Sequence, residues 1–276
     1  MRIFVTGATG FIGSHVVPAA IAAGHQVIAL RRPHAQPRIP WAYQPTWITG
    51  TLEQITAEAL FGCEGLLHLA AVGVSPQKAS WDEFLCWNVH ASLNLVQTAH
   101  QAGIRRIINM GTCHEFGDAA ERFSHIPPDA SMEPITPYGV SKAMNTLGFE
   151  GLCRLHGFEG ITIRLFHLYG PGQFEGAFWP ALKRAAESGE DFPMTAGEQI
   201  RDLMPVEDAA TSILAMLTNT SLRPGIPLRV NVGSGNLTTL RAFAQYWWKH
   251  FNARGKLLLG AQPYRRGEPM RIVPQI

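Results

Sequence analysis

Two side chains that can exchange protons, Tyr138 and Lys142, lie four residues apart in the segment TPYGVSKAMN. The segment is typical of a helix, which places residues i and i+4 on one face. A phenol alone titrates at a pH of about 10, and a cation held beside it favours the phenolate and lowers that pKa. The pair therefore indicates proton exchange with a substrate oxygen, as redox chemistry on a hydroxyl or ketone requires. In isolation the same spacing also fits two surface residues of an amphipathic helix.

A glycine-rich turn at the start of the chain gives this pair a context. A β-rich run covers residues 2–6, GATGFIG follows, and a helical stretch runs from Ser14 to Ala23. Glycines at such a turn allow close backbone approach to a pyrophosphate and close packing of helix on strand. The helix N-terminus also offers free N–H groups to phosphate oxygens. The dinucleotide-binding residues predicted here are Gly7, Gly10, Phe11, Ile12 and Gly13.

Strands and helices alternate along the rest of the chain. After the first run, the strands are predicted near residues 26–30, 46–49, 65–69, 105–110, 161–166 and 228–232. This alternation predicts an α/β fold with a Rossmann-type, doubly wound parallel sheet and right-handed crossovers. We expect a dinucleotide-binding domain and a smaller C-terminal substrate-binding region. The first would comprise residues 1–170 with 200–235 returning to it, and the second residues 171–199 and 236–276.

The end of the second predicted strand bears on the choice of cofactor. An NAD site usually has an acidic residue there, which binds the ribose 2′-hydroxyl. This chain has Arg31 and Arg32 instead. Guanidinium groups can hold a 2′-phosphate by charge-assisted, bidentate hydrogen bonds, whereas a carboxylate would repel it. The sequence therefore favours NADP(H), with NAD(H) still possible and with solvated loop arginines as the alternative interpretation.

The composition excludes several classes of partner. A net charge of +2 gives no electrostatic reason to expect nucleic acid, and the apolar runs are too short to span a bilayer. Met1 and Arg2 lead directly into a strand, so we expect no signal peptide and a cytoplasmic location. The four cysteines show no CxxC spacing, which predicts reduced thiols, and no metal site is predicted.

Further motifs follow one another in a fixed order. They are HLAA at 68–71, Asn88-Val89, GTCHEFG at 111–117, YGVSK at 138–142, RLFHLYGPG at 164–172 and RDLMPVEDAA at 201–210. With GATGFIG, these segments resemble the extended short-chain dehydrogenase/reductase family, the branch of nucleotide-sugar epimerases, dehydratases and ketoreductases. The resemblance covers nearly the whole chain. It implies an NAD(P)-dependent enzyme that acts on a nucleotide-linked sugar.

The resemblance also implies roles for individual residues. Thr112 would hydrogen-bond the substrate oxygen, Tyr138 would be the acid or base, and Lys142 would bind the nicotinamide ribose and lower the pKa of the phenol. The residues that would line the cofactor groove are Leu69, Ala70, Ala71 and Asn88. On the substrate, Arg201 and the Arg265 of PYRRGE would reach the diphosphate.

Departures from the family pattern reduce the number of reactions that we expect. The sugar 4,6-dehydratases of this family have an Asp-Glu pair after the catalytic threonine, whereas this chain has Cys113 and His114. Dehydration is therefore not expected. His114 is a candidate base at an acidic carbon beside a ketone, or a structural residue of its turn. His167 replaces the usual Asn of the RxxN motif, so substrate contacts at that position must differ.

Three functions are compatible with these residues. The leading hypothesis is an NADPH-dependent reductase of a nucleotide-sugar ketone. The alternative is a nucleotide-sugar 4-epimerase that returns the same hydride, and a non-catalytic NADP-binding sensor is a third hypothesis. The resemblance further implies a homodimer formed by helices around 81–102 and 138–156, with a monomer left open. Apolar residues that suit such an interface are Leu85, Leu93, Val96, Leu147 and Leu152.

Overall fold

A computed structural model describes residues 1–74, 78–265 and 267–276. The strands are β1 (Arg2–Thr6), β2 (Gln26–Arg31), β3 (Thr46–Thr49), β4 (Gly65–His68), β5 (Arg106–Thr112), β6 (Glu159–Leu165), β7 (His167–Tyr169), β8 (Phe192–Met194), β9 (Ile200–Arg201), β10 (Leu203–Pro205), β11 (Leu228–Val232), β12 (Thr238–Thr239), β13 (Leu257–Leu259) and β14 (Arg271–Ile272). The α-helices are α1 (Gly13–Ala22), α2 (Trp81–Glu83), α3 (Ser92–Gln101), α4 (Pro137–His156), α5 (Phe178–Ser188), α6 (Val206–Leu217) and α7 (Leu240–His250).

Seven strands form one parallel sheet in the order β11-β6-β5-β4-β1-β2-β3. From β1 the chain continues to β2 and β3 on one side, and then crosses to β4, β5 and β6 on the other. The order therefore reverses between β1 and β4, and ligands of such sheets bind at the carboxyl ends of the strands beside this reversal. The predicted Rossmann-type sheet is confirmed, and its seven strands are those predicted from the sequence.

Alternating side chains of the sheet enter two hydrophobic cores. Along β1, Ile3 and Val5 pack with α1 and α6, whereas Phe4 packs on the opposite face with α3 and α4. This alternation follows from the period of two residues in a strand. Since both faces are covered by helices, the central strands are apolar almost throughout.

Helix α4 carries the predicted proton-transfer pair, and the local sequence explains where it begins and ends. The side chain of Thr136 accepts a hydrogen bond from the N–H of Gly139 at 3.1 Å, and Pro137 occupies the first helical turn. At the other end, Gly157 adopts a left-handed conformation with a φ of 68°. The 20-residue helix thereby starts at the carboxyl edge of the sheet, where Tyr138 lies in its first turn.

The helix that begins at Trp81 changes its geometry along its length. Ser80 and Glu83 form a capping box, with the N–H of Ser80 donating to Glu83 Oε2 at 2.8 Å. A π-helical segment, Phe84–Ala91, then joins α2 to α3. Such wider turns inside helices are frequent at functional sites, and this one contains Asn88.

Small sheets and two helices form the end of the molecule beyond the large sheet. β7 pairs with β10, β9 lies between β12 and β14, and β8 pairs with β13. Helices α5 and α7 pack together through a core of Leu182, Met194 and Ala244. Phe243 is buried and Trp247 packs against this core; the two residues are one helical turn apart on α7.

The cysteines are free thiols, and three of the four are buried. Burial raises the pKa of both Cys113 and Cys153 to about 12, so these thiols stay protonated near neutral pH. No helix in the described ranges is long and apolar enough to cross a membrane.

Candidate active site

The glycine turn after β1 is closely packed against the loop that follows β4. Gly7 has a φ of 69°, and a Cβ atom there would lie 2.7 Å from the backbone nitrogen of Ala70. A Cβ atom on Gly13 would collide with the carbonyl oxygen of Gly7. No side chain caps α1, so its N-terminal N–H groups face the turn, where Phe11 and Ile12 are half-buried. This shape fits a dinucleotide pyrophosphate, because glycine backbone and helix N-terminus together form a phosphate cradle.

A chain of buried hydrogen bonds fixes the loop of residues 69–71. Thr6 Oγ1 lies 2.7 Å from His68 Nδ1, and His68 Nε2 lies 2.9 Å from Ser92 Oγ. Burial, together with the charge of Lys142, lowers the pKa of His68 to about 3, so its ring is neutral. The backbone N–H of Ala70 donates to Thr6 Oγ1 at 3.4 Å. The predicted groove residues therefore lie on a rigid support beside the glycine turn.

Asn88 is almost fully buried and braces two parts of the site. Its Oδ1 accepts from the N–H of Val72 at 2.9 Å, and its Nδ2 donates to the carbonyl of Val72 at 3.2 Å. The same Nδ2 donates to Ser141 Oγ at 3.0 Å, and Ser141 in turn donates to the carbonyl of Tyr138 at 2.8 Å. Asn88 was predicted to contact cofactor, and in this structure it links the cofactor loop to the first turn of α4.

Arg31 and Arg32 lie at the end of β2, where a dinucleotide ribose is expected. The guanidinium of Arg31 lies over the ring of Trp47, 4.8 Å from its centroid, and Arg32 is exposed. Neither forms an ion pair within the described part of the chain. The following segment folds across α1, because Trp41 Nε1 donates to the carbonyl of Ser14 at 2.7 Å. The end of β2 is therefore cationic, with Arg31 oriented by an aromatic ring.

Thr112, Tyr138 and Lys142 meet at the carboxyl end of the sheet. Thr112 ends β5, while the other two lie on consecutive turns of α4. The first turn of α4 comes close to the turn after β5, since a Cβ atom on Gly139 would lie 2.5 Å from the carbonyl oxygen of His114. Thr112 and Lys142 are buried, and Tyr138 is half-buried between Phe84 and His114. The structure thus brings the three predicted catalytic residues together.

The charges around this trio differ from the sequence-based expectation. Burial, and then the negative charge of Glu115, raise the pKa of Tyr138, while the Thr112 hydroxyl acts in the opposite direction. Burial lowers the pKa of Lys142 to about 8, and Glu115 partly opposes that fall. The expected lowering of the phenol pKa by Lys142 is therefore not seen. Desolvation disfavours the charged forms of both side chains.

His114 lies against the phenol, and His167 lies near His114 and Arg201. The rings of His114 and Tyr138 are 6.0 Å apart and meet edge to face. Burial and the charge of Arg201 lower the pKa of His114, and burial, Arg201 and His114 lower the pKa of His167 to about 3. His167 Nδ1 has no hydrogen-bond partner in the described structure. Both rings are therefore neutral near pH 7, with an unsatisfied nitrogen available for a ligand.

Arg201 lies beside these histidines and is nearly buried. Its Nη2 donates to the carbonyl of Pro269 at 2.7 Å and to Glu268 Oε1 at 3.4 Å. Arg265 is exposed, and its backbone N–H donates to the other oxygen of Glu268 at 3.3 Å. Glu268 therefore contacts the guanidinium of Arg201 and the backbone of Arg265, and Arg266 lies outside the described residues.

We assign no role from the sequence alone to the buried ion pair of Glu115 and Arg164, which lies beneath the three catalytic candidates. The side chains of Glu115 and Arg164 are both fully buried, with Arg164 Nε 2.9 Å from Glu115 Oε2. Both residues lie inside motifs of the chain, one three positions after Thr112 and the other at the start of RLFHLYGPG. Charged residues are almost never fully buried unless they are paired, but the sequence does not show that these two are partners.

Known proteins align with this chain over most of its length. It is 25% identical over 285 residues to the dTDP-6-deoxy-L-talose 4-dehydrogenase (NAD(+)) of Aggregatibacter actinomycetemcomitans, covering 99% of this chain and 98% of that one. It is 27% identical over 267 residues to the UDP-glucose 4-epimerase of Streptomyces lividans, covering 87% and 78% of the two chains.

A solved structure and a family model also match this chain. The solved structure of MoeE5 in complex with UDP-glucuronic acid and NAD superposes with a TM-score of 0.84 at 25% identity, covering 100% of this chain and 90% of that one. The model of the NAD dependent epimerase/dehydratase family matches residues 3–233. Since this match spans most of the chain, the protein belongs to the NAD dependent epimerase/dehydratase family and is an enzyme.

Proposed function

We propose that this enzyme uses NADPH to reduce a keto group of a nucleotide-linked sugar, with Tyr138 as the proton donor. The observation that carries the proposal is the pair Arg31 and Arg32 at the end of β2, where neither guanidinium is paired with a carboxylate in the described chain. Two free guanidiniums suit a 2′-phosphate. NADPH in turn suits net reduction better than a closed hydride cycle.

One relative supports a redox reaction on a nucleotide-linked sugar. It is the dTDP-6-deoxy-L-talose 4-dehydrogenase (NAD(+)), which is 25% identical to this chain. The name of the dehydrogenase specifies NAD(+), and MoeE5 was solved with NAD. The preference for NADP(H) therefore depends on the arginine pair, and NAD(H) is the alternative cofactor.

The residues of the trio divide the reduction between them. When bound, the nicotinamide would supply a hydride to the carbonyl carbon. The hydroxyl of Thr112 orients the carbonyl oxygen, and Tyr138 donates its proton to that oxygen as negative charge develops there. Lys142 would bind the nicotinamide ribose, and a solvent proton would then restore the phenol.

The substrate end would hold the nucleotide diphosphate and the sugar. We assign the diphosphate to Arg201 and Arg265; Glu268 contacts the guanidinium of the first and the backbone N–H of the second. The neutral rings of His114 and His167 suit hydrogen bonds to sugar hydroxyl or keto groups. These contacts support a division of the chain into a dinucleotide-binding domain, residues 1–170 with 200–235, and a substrate-binding region that contains α5 and α7.

A 4-epimerase is the second candidate, favoured by the similarity to the Streptomyces UDP-glucose 4-epimerase. In that reaction Tyr138 would first remove a hydroxyl proton, and the hydride would return to the other face of the rotated sugar. A non-catalytic sensor is disfavoured, because Thr112, Tyr138 and Lys142 are all present and lie together.

We also propose a homodimer formed by α4 and the α2–α3 helix. Leu85, Met144 and Leu147 on these helices are exposed, with Leu147 56% accessible. Val96, which the sequence offered for the interface, packs in the core, and Leu93 packs over Gly148. The remaining exposed apolar side chains suit a helix-to-helix contact between subunits.

The decisive test is a separate titration of NADPH and NADH into the purified protein, followed by a panel of nucleotide-linked 4-ketosugars. We expect tighter binding of NADPH and loss of its absorbance only when a ketosugar is present. Tight NAD(H) binding, with turnover of a nucleotide sugar and no net oxidation, would instead establish the epimerase.

A further inference from the structure

The carboxylate of Glu115 lies fully buried beneath the trio and connects three elements. Its Oε1 accepts a hydrogen bond from the backbone N–H of Thr112 at 2.9 Å. Its Oε2 accepts from Thr146 Oγ1 at 3.2 Å and from Arg164 Nε at 2.9 Å. The three donors belong to the end of β5, to α4 and to β6, so one side chain holds these elements together.

The position of Thr146 relates this contact to the chemistry. Thr146 follows Lys142 by one helical turn and Tyr138 by two, so it lies on the same face of α4. The backbone makes room for the carboxylate at Gly111, where a Cβ atom would lie 2.6 Å from Glu115 Oε1. Glu115 thereby fixes the separation between the Thr112 hydroxyl and the proton-transfer face of the helix.

The carboxylate of the ion pair acts on both Tyr138 and Lys142. Arg164 has further contacts of its own: its Nη1 donates to the carbonyl of Pro128 at 2.8 Å, and its guanidinium lies over Phe116. The charge of Glu115 raises the pKa of both Tyr138 and Lys142. Other ionisable groups near the trio are His68 on β4, Cys113 and His114 after β5, and Arg201 on β9.

We propose that Glu115 is a positioning residue for proton transfer: it holds Thr112 in register with α4, and its charge sets how readily the phenol of Tyr138 ionises. The second part rests on the proposed function, in which Tyr138 is the group that exchanges a proton with the substrate.

The test compares Glu115→Gln with a matched variant on the same helix, Glu150→Gln. Glu150 is also a nearly buried carboxylate of α4 paired with an arginine, Arg229, but it lies three turns beyond Tyr138. The readout is the ultraviolet absorbance of tyrosinate during alkaline titration of the complex with oxidised cofactor, with Tyr138→Phe subtracted. We expect Glu115→Gln to lower the pH at which Tyr138 ionises by about one unit or more, since a nearby like charge is removed.

Glu150→Gln should leave that titration unchanged. The pH above which ketone reduction declines should also fall in Glu115→Gln and not in Glu150→Gln. A folded Glu115→Gln protein whose Tyr138 ionises at the wild-type pH would overturn the inference. Because tyrosinate is read without substrate, a protein that reduces no ketosugar can still show the shift, which separates failure of the proposed function from failure of this inference.

Glu115→Gln leaves Arg164 without its partner, so a second variant guards against loss of folding. The double variant Glu115→Gln with Arg164→Met removes both buried charges, which proteins often tolerate better than one. We expect it to fold and to keep the lowered Tyr138 ionisation. Loss of folding in both variants would overturn the inference, since the carboxylate would then be a requirement of the fold itself.

Discussion

Burial disfavours the charged forms of both Tyr138 and Lys142, and this has consequences for activity and for stability. The phenol remains a donor, and the ammonium of Lys142 is buried without an ion-pair partner in the described chain. Sites that bury an unpaired cation generally do so for function, because the arrangement costs stability.

Replacement of Tyr138 by Phe should remove the proton donor and leave the cofactor site intact. We expect the rate of ketosugar reduction to fall about a hundred- to ten-thousand-fold, the usual range for loss of a general acid. The affinity for NADPH, measured by fluorescence titration, should stay within about threefold of the wild type. Tyr246→Phe, at an exposed tyrosine of α7, is the control and should retain full activity. A biological effect that survives intact in Tyr138→Phe would support the sensor hypothesis.

Lys142 should make stability depend on pH. Its pKa is lowered from 10.5 to about 8 in the folded protein, so between these values the unfolded chain binds more protons than the native one. The free energy of unfolding therefore gains a contribution that rises with pH from about 8 to 10.5. Below this window the buried ammonium costs roughly 3 kcal/mol.

Lys142→Met should consequently be more stable than the wild type at neutral pH. Urea unfolding at pH values below and inside the window should show this advantage shrinking as the pH rises. Lys183→Met, at a partly exposed lysine of α5, should show no such trend. A constant difference between wild type and Lys142→Met across the window would contradict the depressed pKa.

At the residue scale, the sequence was informative where a motif carries the chemistry. Tyr138 and Lys142 could be named from their types and spacing, and Thr112 from the resemblance of its segment to a known family. The pairing of Glu115 with Arg164 could not, since it depends on the register of β5 with β6. Asn88 was identified as part of the site, but the sequence could not tell direct contact from the bracing hydrogen bonds that it makes.

At the scale of elements, the seven strands of the large sheet followed from apolar runs between turns. Alternation with helices then left few possible topologies. The short strands β7 to β10 and β12 to β14 were not predicted, because pairs of two or three residues have no periodicity of their own. The packing of the Trp41 segment on α1 was not predicted either, because it depends on a contact between an indole N–H and a backbone carbonyl.

The end of β2 should decide between the two cofactors. Arg31→Ala should weaken NADPH binding about tenfold to a hundredfold, the value of one or two charge-assisted hydrogen bonds, and change NADH binding by less than about threefold. Arg32→Ala, at the exposed neighbour, measures how much the second guanidinium contributes to NADPH binding. Equal losses of affinity for NADPH and NADH in Arg31→Ala would show that this end of the strand does not bind the 2′-phosphate.

The glycine turn allows a test of close packing that is separate from backbone strain. Gly7 and Gly24 both have a positive φ, 69° and 82°, but a Cβ atom at Gly24 meets nothing within 4 Å. Both alanine variants should lose about 1 kcal/mol of stability from the backbone alone. Only Gly7→Ala should also displace the Ala70 loop and weaken cofactor binding more than about tenfold. Equal effects of the two variants on cofactor affinity would argue against the cradle.

At the scale of the whole molecule, the exposed apolar side chains of α4 bear on assembly. Leu147→Glu places a charge in the proposed interface, and we expect sedimentation to show a monomer where the wild type is a dimer. Phe61→Glu, at a residue that is 76% exposed and lies outside these helices, should not alter the assembly. A wild-type monomer would remove the proposed dimer altogether.

The hydrogen bonds of Asn88 should determine the order in which the two ligands bind. They connect the loop after β4 to the carbonyl of Tyr138 through Ser141, so ordering that loop also orders the start of α4. Occupancy of the dinucleotide groove should therefore tighten the sugar pocket, and by reciprocity the sugar should slow release of the dinucleotide. Steady-state kinetics should follow a compulsory order, with the dinucleotide first on and last off.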